Sequence, residues 1–258
     1  MSASAAPLIS VITVCFNSAA HIADTLRSVD RQTWPHLEHL IVDGASSDRT
    51  LQIVADFPAP SRRVLSEPDR GIYDAMNKGI RMARGGIIGF INSDDFYATD
   101  DALAKVAEAF ADPAVQACYG DLCYVRQDDV FAVVRYWRSG PFRPGLFLRG
   151  WCPPHPTLFV RRGVYERCGA FDLQYRIAAD VELMMRLLEV QRINTRHIPE
   201  VLVKMRMGGT TNRSWSNVLL QNREIWHALK RHGLRASIVP FLIGKVLSRG
   251  RQYLARPD

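Results

Sequence analysis

Between the glycine pair Gly85-Gly86 and the acid pair Asp94-Asp95 the chain runs Ile87-Ile88-Gly89-Phe90-Ile91-Asn92-Ser93. A short apolar run with such borders reads as a buried strand of the parallel kind, covered on both faces. In an open α/β sheet the carboxyl ends of such strands form the crevice where ligands bind. Two adjacent carboxylates there repel each other unless a cation, or a metal bound to phosphate, sits between them. Asp is also a favoured turn residue, so the pair can instead do no more than open the next loop.

Two further strand ends have the same character. Ile9-Ser10-Val11-Ile12-Thr13-Val14-Cys15-Phe16-Asn17 and Glu38-His39-Leu40-Ile41-Val42-Asp43-Gly44 each lead directly into a helix-like segment. Asn17, Asp43 and the pair Asp94/Asp95 can therefore converge on one crevice. Ile22, Leu26 and Val29 recur at helical spacing and stop before Trp34-Pro35. Asp48 can cap a helix carrying Leu51 and Val54. Residues 63–66 read as a short strand, and 72–84 and 101–111 as helices. The alternation predicts right-handed crossovers and an α/β fold, with a mainly parallel sheet flanked by helices. Beyond Pro113 the pattern changes to strand-like runs at 117–125 and 130–136, a Gly/Pro-broken stretch at 139–156, and a strand at 157–160. The chain divides into a half at about 8–112, a second half at 113–213, and a helical tail at 214–258.

Composition excludes several classes. Five cysteines without CxxC spacing give neither a zinc site nor a disulfide framework, and fit a reducing cytosol. No basic region followed by an apolar core opens the chain, and no run is apolar for long enough to span a bilayer. The expectation is a cytoplasmic protein, attached to a membrane at most from that side. Residues 230–258 hold seven basic residues and one acidic, which is +6 of the total +7. The body is thus nearly neutral, and nucleic-acid binding by it is not expected.

The ordered set Val14-Cys15-Phe16-Asn17, Val42-Asp43-Gly44-Ala45-Ser46-Ser47-Asp48, Asp69-Arg70-Gly71-Ile72-Tyr73-Asp74-Ala75-Met76-Asn77-Lys78-Gly79 and Asn92-Ser93-Asp94-Asp95 resembles the family 2 glycosyltransferases. The resemblance covers about residues 8–210. The segment beginning at Asp69 is most similar to the branch that builds bacterial exopolysaccharides and lipid-linked glycans, of the colanic acid type. It implies a GT-A fold (Rossmann-like) and inverting transfer from a nucleotide diphosphate sugar, UDP being the commonest donor nucleotide. The halves then become a nucleotide-sugar-binding half and an acceptor-binding half, within a transferase domain of residues 1–213.

Site expectations follow from that resemblance. Asp94 stands where the family ligates Mg²⁺ or Mn²⁺ across the two phosphates. Asn92 occupies the first position of the Asp-x-Asp motif, so a second carboxylate role falls to Asp95. Phe16 can stack on the base or pack in the core, and Asp43 can accept hydrogen bonds from base or ribose. Val14, Asn17, Asp69, Gly71, Asp74, Asn77 and Ser93 complete the expected donor contacts. Asp180 matches the family's general base and can also be a helix N-cap, with Glu182 as the fallback. The family's preceding Glu is Ala179 here. His155, among Pro153, Pro154 and Pro156, is expected to assist in the acceptor half or to be structural. The loop from Met207 to Arg213 either closes over the donor, with Arg213 near the phosphates, or is an ordinary surface loop.

The rival classes are a nucleotidyltransferase of similar fold and a non-catalytic sugar-nucleotide-binding protein. An oxidoreductase is not expected, because no G-x-G-x-x-G follows the first strand. In the tail, Phe241, Leu242, Val246, Arg249 and Tyr253 group apolar and basic residues along a helix, with Pro240 in its first turn. Such a helix either lies on an anionic membrane beside a saccharide or polyprenyl-linked acceptor, or packs against the body or a second subunit in a homodimer.

Overall fold

The computed structural model describes residues 6–208 and 215–254. Its centre is β1 (Ile9–Cys15), every residue of which is buried. It is flanked in parallel by β2 (Leu37–Asp43) and β4 (Ile87–Phe90), with β3 (Arg62–Ser66) outside β2. The register sets Cys15 against Asp43 and Ile12 against Phe90, so the carboxyl ends of three strands come out side by side. The crossovers are α1 (Ile22–Asp30), α2 (Thr50–Asp56) and α3 (Ile72–Met82), as the apolar spacing requires. Buried Ala75 and Met76 turn α3 onto the sheet, in one cluster with Ile12, Leu40 and Ile88.

The strand β5 (Phe96–Tyr97) and helix α4 (Ala102–Ala109) lead into the second half. There β6 (Ala117–Val125) pairs with the antiparallel β7 (Val133–Trp137) and β8 (Phe159–Arg161), and with the parallel β9 (Thr195–Arg206). Because β8 also pairs with β4, one nine-stranded sheet runs through both halves in the order β3-β2-β1-β4-β8-β6-β9-β5, with β7 beside β6. The change from parallel to mixed pairing comes after β4, since β5 already pairs antiparallel with β9. The fold is GT-A.

Three expectations are corrected. The strand expected from residue 157 begins at Phe159, because His155–Thr157 form a 3₁₀ turn between prolines that lack the N–H a ladder needs. The twelve residues of β9 were not anticipated: charged side chains and Pro199 hide the alternation, and the pairing with β6 slips register near Asp121. The tail consists of α7 (Trp215–Arg231) and α8 (Ile238–Leu254), after α5 (Arg162–Cys168) and α6 (Ala179–Met185). Phe241 does not share a face with Leu242 and Val246: it is buried, while those two are exposed. Gly244 lies so close to the Arg149 backbone that a Cβ there would collide with it.

Candidate active site

The loops after β1, β2 and β4 are tied together by their own side chains. Asn17, in the left-handed region at φ 50°, accepts from the backbone N–H groups of Ser47 at 2.9 Å and Asp48 at 3.3 Å. Its own N–H donates to Ser46 Oγ at 2.8 Å. Ser18 and Ser93 join their hydroxyls at 2.8 Å, which fixes the β1 loop to the β4 loop. Above this seam opens a cavity of about 890 Å³.

Its first end is polar. Phe16 is 63% exposed on the wall beside Asp69, which removes the core-packing alternative. A Cβ on Gly44 would stand 2.5 Å from Asp69 Oδ2 and 3.4 Å from the Phe16 ring, so a larger residue there would displace the Asp69 carboxylate. Asp69 Oδ1 accepts from the Gly71 N–H at 2.7 Å. Val14, Asn17, Gly71, Asn92, Ser93 and Asp94 share this wall.

Four expected donor contacts lie behind the wall. Asp43 has no exposed surface, and its carboxylate holds Ser46 and Cys15 on one oxygen and the Ser46 N–H and Ser66 Oγ on the other. It shapes the loop that carries Gly44. Asp74 accepts from the Arg70 N–H at 3.1 Å and pairs with its guanidinium at 3.5 Å. Asn77 is spent on both backbone groups of Phe171, each at 2.9 Å. Asp95 has no exposed surface and accepts from Asn92 Nδ2 at 2.8 Å and from the Arg206 N–H at 3.3 Å. Burial and the neighbouring Asp94 push its carboxyl well above the usual carboxylate range. Asp95 as folded is thus engaged with its own loop and with β9.

Asp94 remains as the carboxylate of this motif that faces the cavity. Arg206 fixes its loop, donating to the Asp94 carbonyl at 2.7 Å and to Asp24 Oδ2 at 2.6 Å. Among the described residues no group of three or more His, Cys, Asp or Glu side chains can hold a metal unaided. One hard carboxylate at a strand end does fit Mg²⁺ or Mn²⁺ arriving with phosphate oxygens, since these ions take one or two carboxylates and complete their shell from substrate.

The opposite wall comes from later in the chain. Ala178 is the N-cap of α6, and Asp180 lies in the first turn, which corrects the N-cap alternative. The cap is supplied from α7: Glu224 accepts from the N–H groups of Arg176, Ile177 and Ala178 at 2.9, 3.0 and 2.9 Å. Tyr73 on α3 places its hydroxyl 2.8 Å from the Ile177 carbonyl and 3.0 Å from Asp180 Oδ1, and stacks on Phe171. Asp180 Oδ2 has no partner among the described residues. Glu182 turns away, bound to Arg186 at 2.9 Å and His232 at 2.7 Å. His155 stacks on Phe90 in the cavity wall, its Nε2 buried and unpartnered among the described residues. Burial holds its imidazole below the ordinary histidine value, hence neutral. Arg213 lies outside the described residues.

The profile of glycosyl transferase family 2 matches residues 10–163. A PGL/p-HBAD biosynthesis glycosyltransferase of Mycobacterium tuberculosis is 33% identical over 221 residues, which are 81% of this chain and 80% of that protein. The chain belongs to glycosyltransferase family 2. It is a glycosyltransferase, which sets aside the nucleotidyltransferase and non-catalytic alternatives. Among solved structures, the mannosyltransferase PcManGT of Pyrobaculum calidifontis, in complex with GDP-Man and Mn²⁺, superposes with TM-score 0.66 at 20% identity. That match covers 98% of this chain and 76% of the mannosyltransferase. The Staphylococcus aureus TarS 1-349 fragment in complex with UDP-GlcNAc gives TM-score 0.64 at 17% identity, over 86% of this chain and 66% of that one. The chain spans 40% of a longer TarS chain.

Several residues of this transferase's cavity were invisible to sequence reading. Tyr73 sits inside the Asp69 motif but acts on a residue 107 positions away. Arg135, Lys245, Arg249 and Gln252 line the cavity from β7 and α8, with no motif around them. The excess of basic residues in the tail was the one available signal.

Proposed function

We propose that this glycosyltransferase moves a sugar from a nucleotide diphosphate sugar to an acceptor hydroxyl, with inversion, using Asp180 as general base. The observation that carries the reading is Asp180 itself, a carboxylate in the cavity of Asp94, steadied by Tyr73 at one oxygen and unpartnered at the other among the described residues. Asp180 takes the hydroxyl proton as the acceptor oxygen bonds to the anomeric carbon, while the bond from that carbon to the diphosphate oxygen breaks on the far side. Asp94 would hold Mn²⁺ or Mg²⁺ together with the donor phosphates, and the ion would neutralise the charge that develops on the leaving diphosphate. Phe16 offers a stacking face to the base, with Asp69, Asn17 and the Gly71 backbone around the nucleoside. Neutral His155 helps to wall the acceptor side, with its Nε2 buried.

UDP is the favoured donor nucleotide, and GDP belongs in the same panel, because the two solved relatives carry one each. The acceptor class is a glycan or lipid-linked saccharide of bacterial surface polysaccharide or glycolipid synthesis. The deciding test is a donor panel with and without Mn²⁺, read by NMR at the anomeric carbon of the product. Inverted configuration with metal-dependent turnover is expected, and retained configuration would contradict the role of Asp180.

Placement at the inner face of the cytoplasmic membrane is part of this reading. No helix among the described residues is long and apolar enough to cross a membrane. The outer face of α8 exposes Val239, Leu242, Ile243, Val246 and Leu247, the spacing of one helical stripe, in the region of greatest positive charge. That combination suits an anionic leaflet. Because the inner face of α8 walls the cavity, the stripe is better tested by Leu242→Glu with Val246→Glu in the full chain than by deletion. Co-sedimentation with anionic vesicles is expected to fall sharply. Unchanged pelleting, or a dimer dissociated by the same changes, would assign the stripe elsewhere.

A further inference from the structure

We propose that the cavity end formed by β7 and α8 is a subsite for an oxyanion on the acceptor, a phosphate ester or a carboxylate, held by Arg135, Lys245 and Arg249. The proposal rests on the transferase reading and names the chemistry of the molecule that receives the sugar.

Three cations meet there from segments more than a hundred residues apart. Arg135 is 8% exposed. Its guanidinium lies 4.5 Å from the Tyr124 ring centroid, 5.7 Å from that of Tyr253 and 5.8 Å from that of Trp137. Its one hydrogen bond among the described residues runs from Nε to Gln252 Oε1 at 2.6 Å, which leaves the outer N–H donors unused. Lys245 donates to the neutral Asn222 Oδ1 at 2.6 Å. Arg249 has no partner among the described residues. None of the three pairs with a carboxylate among those residues.

Three other sheltered guanidinium groups meet carboxylates. Arg62 meets Asp30, Arg186 meets Glu182 and Arg206 meets Asp24. A sheltered cation without a counter-ion is costly, and several together repel one another. Burial and the Arg249 charge hold Lys245 down to about 8. An oxyanion would supply the missing charge and take the fork of donors that Arg135 presents.

The position of Lys245 favours the acceptor. The donor diphosphate is assigned to Asp94, whereas half-buried Cys152 lies within the electrostatic reach of both Asp180 and Lys245. The charges of Arg135 and Arg249 both reach Tyr124, as that of Asp95 does, so nucleotide affinity is read alongside probe binding in the test. Trp137, Trp151 and Phe147 wall the same end, giving flat faces for a sugar ring or aglycone.

The test uses the full chain at pH 7, where Lys245 keeps its proton, and three probes: octyl glucoside, octyl glucuronide and octyl glucoside 6-phosphate. Below their micelle concentrations, calorimetry is expected to show an anionic probe binding at least tenfold more tightly than the neutral one. Which anionic probe leads separates carboxylate from phosphate, and competition by inorganic phosphate separates recognition of the anion from recognition of the whole lipid. Arg249→Gln and Lys245→Met, each checked for an unchanged melting temperature, are expected to erase the preference while Mn²⁺-dependent UDP and GDP affinity stays put. Equal binding of all three probes to the native chain would overturn the subsite. So would a preference that survives both substitutions, or a fall in nucleotide affinity, which would give the triad to the donor. A retained product configuration would sink the base assignment and leave this result standing.

Discussion

The two ends of the cavity are built on opposite plans. At the proposed donor end, loops after neighbouring strands satisfy one another: Asn17 binds the 47–48 backbone, Asp43 is saturated, and Ser18 meets Ser93. At the proposed acceptor end, groups far apart in sequence are brought together and left partly unsatisfied. Asp180 has one oxygen free, His155 has a bare Nε2, and Arg135 has outer donors unused, all among the described residues. The difference teaches where specificity resides. A pre-satisfied wall recognises a ligand by shape and by few contacts, and suits a nucleotide common to many reactions. Unsatisfied buried groups penalise every acceptor that fails to complete them, which makes them strong discriminators.

α3 is the link between the plans. Its amino end carries the Asp69-Gly71 turn of the proposed donor wall, Tyr73 reaches Asp180, and Asn77 grips Phe171. The segment that looked like a donor motif thus also sets the position of Asp180, the proposed base.

If the plans differ in this way, changes at the donor end should appear in nucleotide binding, with Asp94 also acting on rate through the leaving group. Changes at the acceptor end should appear in rate without loss of nucleotide affinity. The largest effect is expected from Asp94→Ala, which should lower turnover by orders of magnitude and abolish the Mn²⁺ dependence of nucleotide affinity. Calorimetry showing intact Mn²⁺-UDP or Mn²⁺-GDP affinity would remove Asp94 from the donor end. Next is Tyr73→Phe, which deletes a hydrogen bond to a carboxylate worth about 1.5–3 kcal/mol. A fall in kcat of roughly tenfold or more, with donor KM unchanged, is expected in steady-state kinetics. A change confined to donor KM would make α3 purely a donor element. The smallest is Phe16→Ala, which should weaken nucleotide binding by about 1 kcal/mol, roughly fivefold, and leave kcat alone. A kcat effect there would blur the division.

What the sequence disclosed follows the same line. The strands and crossovers up to residue 112 were legible because parallel strands are short apolar runs and their site residues sit at strand ends. Asp43, Asp74, Asn77 and Asp95 have the residue types of the motif, and in this structure each is engaged with its own loop or with Phe171. A motif shows which residue types accompany a ligand, without showing which face the ligand and which hold the loop that does. The acceptor end was legible only at Asp180 and His155. The strand β9 carries charges and a proline, the cap on α6 comes from Glu224, and the cationic triad depends on how α8 docks beneath Arg149. Those pairings join residues from 46 to 117 positions apart, and no local pattern encodes them.

The central claim, that one end of the cavity binds while the other performs the proton transfer, is tested most directly by Asp180→Asn. Asn keeps an acceptor for Tyr73 and removes the base. Calorimetry with the metal–nucleotide complex, paired with single-turnover transfer at saturating donor and acceptor, should give unchanged affinity and a rate at least about a hundredfold lower. Transfer above about a tenth of the native rate, or a parallel loss of nucleotide affinity, would contradict it.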